Sequence, residues 1–119
     1  MAMPPHDPCR SLIAVMNESG PLSLSAAAAA MHLHPRKLER QLQAQGLRFE
    51  ALRDAQRRRL ARQLLLDPRL EVADVALRLG YRDSSNFSRT CRRWFGATPS
   101  ALRLGRAAWP ADEGEARWP

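Results

Sequence analysis

At 119 residues, 45% hydrophobic and 26% charged, the chain can bury a core of its own and has the make-up of a globular protein, not of a disordered segment or a membrane span. Its formal charge of +7 is carried almost wholly by arginine, because Lys37 is the only lysine among nineteen basic residues; planar guanidinium forks suit phosphate oxygens and the guanine edge, which favours a nucleic-acid partner. Cys9 and Cys91 stand far apart with no CxxC or Cys/His grouping, which argues against a zinc site or a disulfide framework and fits the cytoplasm, and no apolar run approaches the ~20 residues that span a bilayer.

Residues 1–6 read as a loose arm, because Pro4 and Pro5 discourage helix, and prolines stand where a signal peptide would place its apolar core. Asp7 caps a first helix with Pro8 at its first position; Leu12, Ile13 and Met16 fall at helical spacing, and Gly20-Pro21 ends it. Ser23 caps a second helix in which Leu24, Ala27, Ala28 and Met31 trace one buried face, the alanine run offering a close-packing surface. After a break at residues 32–34, Pro35 opens a third helix with Leu38 and Leu42 inward and Gly46 as its stop. From Phe49 to about Leu66 runs a connecting rod, striped by Phe49, Leu52, Ala55 or Gln56, Leu60 and Leu64 beside Arg57, Arg58, Arg59 and Arg62, and Asp67-Pro68 terminates it. A fifth helix carries Val72, Val75, Ala76 and Leu79 and stops at Gly80; Asp83 or Ser84 caps a sixth with Phe87, Cys91 and Trp94 or Phe95 inward; Thr98-Pro99 opens a seventh that ends near Arg106. The tail from Ala107, with Trp109 and Trp118, reads as mostly unstructured. No stretch alternates as a strand does, so the expectation is an all-α fold of about seven helices: an arm and first helix (1–20), a first helix-turn-helix (21–47), a connecting helix (48–67), a second helix-turn-helix with a closing helix (68–106) and a flexible tail (107–119).

The most informative feature is a weak internal repeat. Leu24, Ala27, Ala28, Met31 and Leu33 recur 48 residues later as Val72, Val75, Ala76, Leu79 and Tyr81, and at an offset of 49 Leu38, Arg40 and Leu42 correspond to Phe87, Arg89 and Cys91. Each unit is helix, short turn, helix. A helix-turn-helix braces with its first helix and lays the second in the major groove, so the second must present donors and acceptors outward. Those outward residues are Arg36, Lys37, Glu39, Arg40 and Gln43 in the third helix, and Ser84, Ser85, Asn86, Ser88, Arg89, Arg92 and Arg93 in the sixth, whereas the brace helix turns Glu71 and Asp74 outward.

The stretch from about 21 to 103 resembles the DNA-binding domain of AraC/XylS-type regulators. The motif VADVALRLGYRDSSNFSRTCRRWFGATPSALR at 72–103 is similar to that family's second helix-turn-helix, with its LGF/LGY turn, its S-x-F-S-R segment and its F-G-x-(S/T)-P-x-x-x-R ending, and HPRKLERQL at 34–42 looks like the first recognition helix. The resemblance implies seven helices, a rod of ~18 residues at ~1.5 Å each, and two recognition helices entering adjacent major-groove segments of double-stranded DNA. Carried onto this chain, it makes Arg36, Glu39, Arg40, Ser84, Ser85, Ser88 and Arg89 base readers, with Arg40 and Arg89 pairing with guanine and Glu39 accepting from cytosine, and makes Asn86, Arg92 and Arg93 phosphate contacts. Three departures stand out: His32 replaces a glycine, which predicts a distorted first turn; Cys91 replaces an aromatic, leaving Met31 or Trp94 to fill the space; and Ala101-Leu102 replaces an acidic-aromatic pair.

The resemblance implies a transcriptional regulator, an activator more often than a repressor, with RNA polymerase as a further partner. The effector or dimerisation domain such regulators commonly carry has no counterpart here, so the chain reads either as a stand-alone small regulator or as a domain cut from a longer protein, the latter favoured by the Met-Ala-Met start followed so soon by a helix. The competing readings are a protein-interaction module and a nonspecific nucleic-acid binder. No enzyme, metal or cofactor is expected: His32 and His34 lack a third ligand, Cys91 reads as core, and no nucleophile elbow or phosphate-binding glycine loop occurs.

Overall fold

Helix starts follow the capping chemistry of the sequence. The computed structural model describes residues 7–110; the arm before Asp7 and the tail beyond Pro110, Trp118 included, lie outside the described residues. Among them are seven helices and no strand: α1 (Pro8–Ser19), α2 (Leu24–Ala30), α3 (Pro35–Ala44), α4 (Phe49–Leu65), α5 (Val72–Arg78), α6 (Ser84–Phe95) and α7 (Pro99–Arg103). The Asp7 carboxylate accepts from the N–H groups of Cys9 at 3.1 Å and Arg10 at 3.3 Å, and the Ser23 hydroxyl accepts from Ala26 at 3.1 Å. At α6 the cap is Asp83, accepting from Asn86 at 3.0 Å, and at α7 it is Thr98, accepting from Ala101 at 3.2 Å. Each such cap satisfies a backbone donor that the helix leaves unpaired, for about 1 kcal/mol. The Arg10 backbone N–H and the Gln45 side-chain amide hold the Asp7 carboxyl below its usual range.

The described residues divide into two compact units, 7–56 and 57–110, and the division falls inside α4. In the first unit Leu12, Met16, Ala27, Ala28, Leu38, Leu42, Phe49 and Leu52 form the core, with α2 packed on both α1 and α3. Ala27 and Ala28 are the two alanines of the run that meet this core; Ala26, Ala29 and Ala30 are exposed, and Leu24 and Met31 are only half-buried at its edge. Gln56 is the buried member of the Ala55/Gln56 pair, and its amide donates to the Met16 carbonyl at 2.7 Å, tying α4 to the end of α1.

The second unit is built on Ala61, Leu65, Val75, Ala76, Leu79, Phe87, Cys91, Trp94, Phe95 and Leu102. The stripe expected along α4 therefore holds through Phe49, Leu52 and Gln56 and then breaks: Ala61 and Leu65 are buried, while Leu60 and Leu64 sit half-buried against the second core. One helix serving two cores cannot keep a single 3.6-residue period. Both Trp94 and Phe95 are buried in the core that holds Cys91, whereas Met31 packs in the other unit. The tail is ordered further than expected, because Trp109 lays its ring edge-on to Phe95 at 5.0 Å between centroids.

The repeat extends to the backbone. Leu33 N–H donates to the Ala28 carbonyl at 2.8 Å and Tyr81 N–H to that of Ala76 at 3.0 Å, the 6→1 bond of a Schellman turn in each case. Between them the chain passes through positive φ, at Gly80 (+92°) and at His32 (+58°). The first turn is thus not distorted by histidine: it keeps its bonding and holds His32 in the left-handed region that a side chain makes costly.

Candidate nucleic-acid interface

Placement of the candidate residues begins with what anchors their helices. Leu38 and Leu42, one turn apart on α3, are fully buried in the first core, which leaves Arg36, Lys37, Glu39, Arg40 and Gln43 exposed. The start of α3 is fixed by His34, whose Nδ1 accepts from the Arg36 N–H at 3.2 Å, giving this histidine a capping role. Glu39 and Gln43, also one turn apart, line a shallow hollow with Arg48 and Glu50 at the start of α4. Among the described residues no group of His, Cys, Asp or Glu could hold a metal ion, and no helix is long and apolar enough to cross a membrane.

On α6 the buried set is Phe87, Cys91, Trp94 and Phe95, each large side chain contributing roughly 1.5–3 kcal/mol by leaving water. Ser84, Ser85, Asn86, Arg89, Arg92 and Arg93 are exposed and Ser88 is half-buried. Burial also pushes the Cys91 thiol up to about 12, so it is a neutral core group at physiological pH. The Arg89 guanidinium donates to the side-chain carbonyl of Asn86, and the Arg93 guanidinium lies 5.8 Å from the Trp94 ring centre. Arg92 and Arg93 occupy the last turn of α6, where a positive charge also complements the helix dipole. The five α3 residues are thus exposed within the first unit, as are six of the seven α6 residues within the second, Ser88 being half-buried.

The brace helix α5 has its own reason for the acids seen in the sequence. The Asp74 carboxylate accepts from the Glu71 N–H at 3.1 Å, closing the first turn of α5 from the favourable end of its dipole.

Several arginines that add to the basic charge are part of the fold. Arg57 stands 5.0 Å over the Tyr81 ring, Arg58 5.3 Å over Phe95 while donating to the Trp94 carbonyl at 3.1 Å, and Arg62 5.5 Å over Trp109. Arg103 donates to the carbonyls of Leu65 and Asp67, each at 3.2 Å, of Leu64 at 3.5 Å and of Leu70. It therefore caps the C-terminus of α4, where the last four carbonyls have no partner within the helix. In the sequence these residues showed only as a basic cluster and as a motif ending; the pairing of Arg57 with Tyr81 spans too many residues for any local pattern to show it.

Residues 27–105 match a family described as a helix-turn-helix domain. A stretch of 85 residues, 71% of this chain and 25% of that protein, is 42% identical to the HTH-type transcriptional regulator VirS of Mycobacterium tuberculosis. The transcriptional activator NphR of Rhodococcus sp is 38% identical over 86 residues, 72% of this chain and 26% of that protein. The chain thus spans about a quarter of the length of the curated relatives it matches. Among solved structures, the DNA-binding domain of AdpA in complex with a target DNA superposes with a TM-score of 0.69 at 25% identity, over 84% of this chain and 93% of that one. With its two repeated units and its match over residues 27–105, this chain belongs to the AraC-type helix-turn-helix domain family.

Proposed function

We propose that this chain is the sequence-specific DNA-binding part of a bacterial transcriptional regulator, inserting α3 and α6 into adjacent major-groove segments of double-stranded DNA. The observation that carries the reading is the repeat made physical: Leu38 and Leu42 in one unit, and Phe87 and Cys91 in the other, fix which face of the second helix is buried and leave Arg40 and Arg89, at equivalent positions, exposed. The co-crystallised AdpA domain supports the ligand class, and the relative named an activator supports activation. In this reading Arg40 and Arg89 each take a guanine bidentately, Arg36, Glu39, Ser84, Ser85 and Ser88 read neighbouring bases, and Lys37, Gln43, Arg92 and Arg93 hold backbone and register. The domain works in the cytoplasm, contacts RNA polymerase when it activates, and serves a longer protein that supplies an effector or dimerisation domain; the coverage of its relatives supports that last part. It performs no catalysis.

The test is selection of binding sites from a random duplex library by the purified chain at about 150 mM salt, repeated with Arg40→Ala and Arg89→Ala. The expected result is two blocks about ten base pairs apart, each relaxed at one guanine by its own variant at a cost of ~1–3 kcal/mol. Absence of enrichment for any sequence would overturn the proposal.

A further inference from the structure

Asn86 and Arg89 lie three residues apart on α6, close enough for i,i+3 side chains to meet, and the Arg89 guanidinium donates through Nη2 to the Asn86 Oδ1. The backbone beneath Asn86 is fixed on both sides: its N–H is taken by Asp83 at 3.0 Å and its carbonyl accepts from the Thr90 hydroxyl at 3.0 Å. The acceptor thus stands on a rigid first turn. A guanidinium carries five donors in a planar fork, so a contact through one nitrogen to Asn86 leaves another edge of Arg89 free to meet the O6 and N7 of a guanine. In the first motif the equivalent position, 49 residues earlier, holds Lys37, which has no acceptor to offer Arg40.

We propose that Asn86 is a positioning residue for base readout: it holds Arg89 in the rotamer that reads guanine, and does not serve as a phosphate contact. The inference rests on the reading of Arg89 as a base reader. It makes the second motif the sharper of the two, because Arg89 is ordered before DNA arrives whereas Arg40 must be ordered by it. The cost of ordering one long side chain on binding sets the size of the expected effect at about three- to tenfold.

The experiment uses the full chain and four duplexes: the selected site, and that site with the guanine assigned to Arg89 replaced by each other base. Asn86→Ala is expected to lower the preference for guanine about three- to tenfold, to leave binding to the other three duplexes unchanged, and to have no further effect in an Arg89→Ala background. Asn86→Asp, which keeps the acceptor, is expected to retain the preference. Equal weakening on all four duplexes, or effects of the two alanine changes that multiply, would make Asn86 an independent contact and overturn the proposal. Retained guanine preference in Arg89→Ala alone would remove the base-reading role of Arg89 itself, a failure that this arm separates from failure of the positioning role.

Discussion

Replacing Arg103 by alanine tests how the second unit is held at the end of α4. The guanidinium donates to the carbonyls of Leu65 and Asp67 at 3.2 Å and to that of Leu70, with a longer contact at 3.5 Å to Leu64. A hydrogen bond to a charged group is worth about 1.5–3 kcal/mol, but water replaces part of it at a half-buried site, so about 1 kcal/mol per close contact is a fair measure and the total is about 3 kcal/mol. With a denaturant slope of about 1–1.5 kcal/mol/M for a unit of this size, the urea midpoint should fall by about 2–3 M. Tryptophan fluorescence suits the measurement, because Trp94 and Trp109 both pack on the second core. Arg103→Lys, with three donors and no fork, should recover about a third of the loss. A midpoint within about 0.5 M of the parent for Arg103→Ala, or full recovery by lysine, would refute the claim that a planar fork caps α4.

Three further outcomes are expected. Gly80→Ala should lose about 1–2 kcal/mol in urea unfolding, since φ is +92° and the new Cβ would meet Arg57 Nη2 at 3.2 Å, whereas His32→Gly should gain less than about 1 kcal/mol, because relief at +58° is offset by the freer unfolded chain. Trp109→Ala should cost the second unit about 2 kcal/mol, the sum of its edge contact with Phe95 and its place under Arg62; an unchanged fluorescence-detected midpoint would mean that the ring is not docked. The raised Cys91 pKa means that the fold favours the protonated thiol, so its stabilising contribution is whole below about pH 8.5, where an unfolded thiol begins to titrate, and drains away as pH climbs to about 12. Urea midpoints should fall along that alkaline limb, and Cys91→Ala should flatten the fall.

Local chemistry was readable along most of the chain. Asp7-Pro8, Ser23, Pro35 and Thr98-Pro99 mark helix starts because a cap and a proline act within three residues of themselves, and the buried positions of α2, α3, α5 and α6 follow from a period that one core imposes. The rod resisted that logic at Gln56, where the core it serves changes. Arginine was the least legible residue. Its charge advertises DNA wherever it stands, yet the guanidinium groups of Arg57, Arg58 and Arg62 lie over rings, and Arg103 closes a helix end, roles set by partners tens of residues away. On α6, Asn86 read as a phosphate contact, and only its side-chain contact with Arg89 points to a different role.

The division inside α4 has a consequence in time. A continuous helix ordinarily exchanges its amide hydrogens as one cooperative block, but residues 49–56 answer to one core and 57–65 to another. When either unit opens, its own half of α4 loses the packing that protects it while the other half keeps its shelter. Amides a single turn apart, on either side of the Gln56–Arg57 peptide, therefore run on two different clocks, and a perturbation that destabilises only one unit should speed one clock and leave the other unchanged.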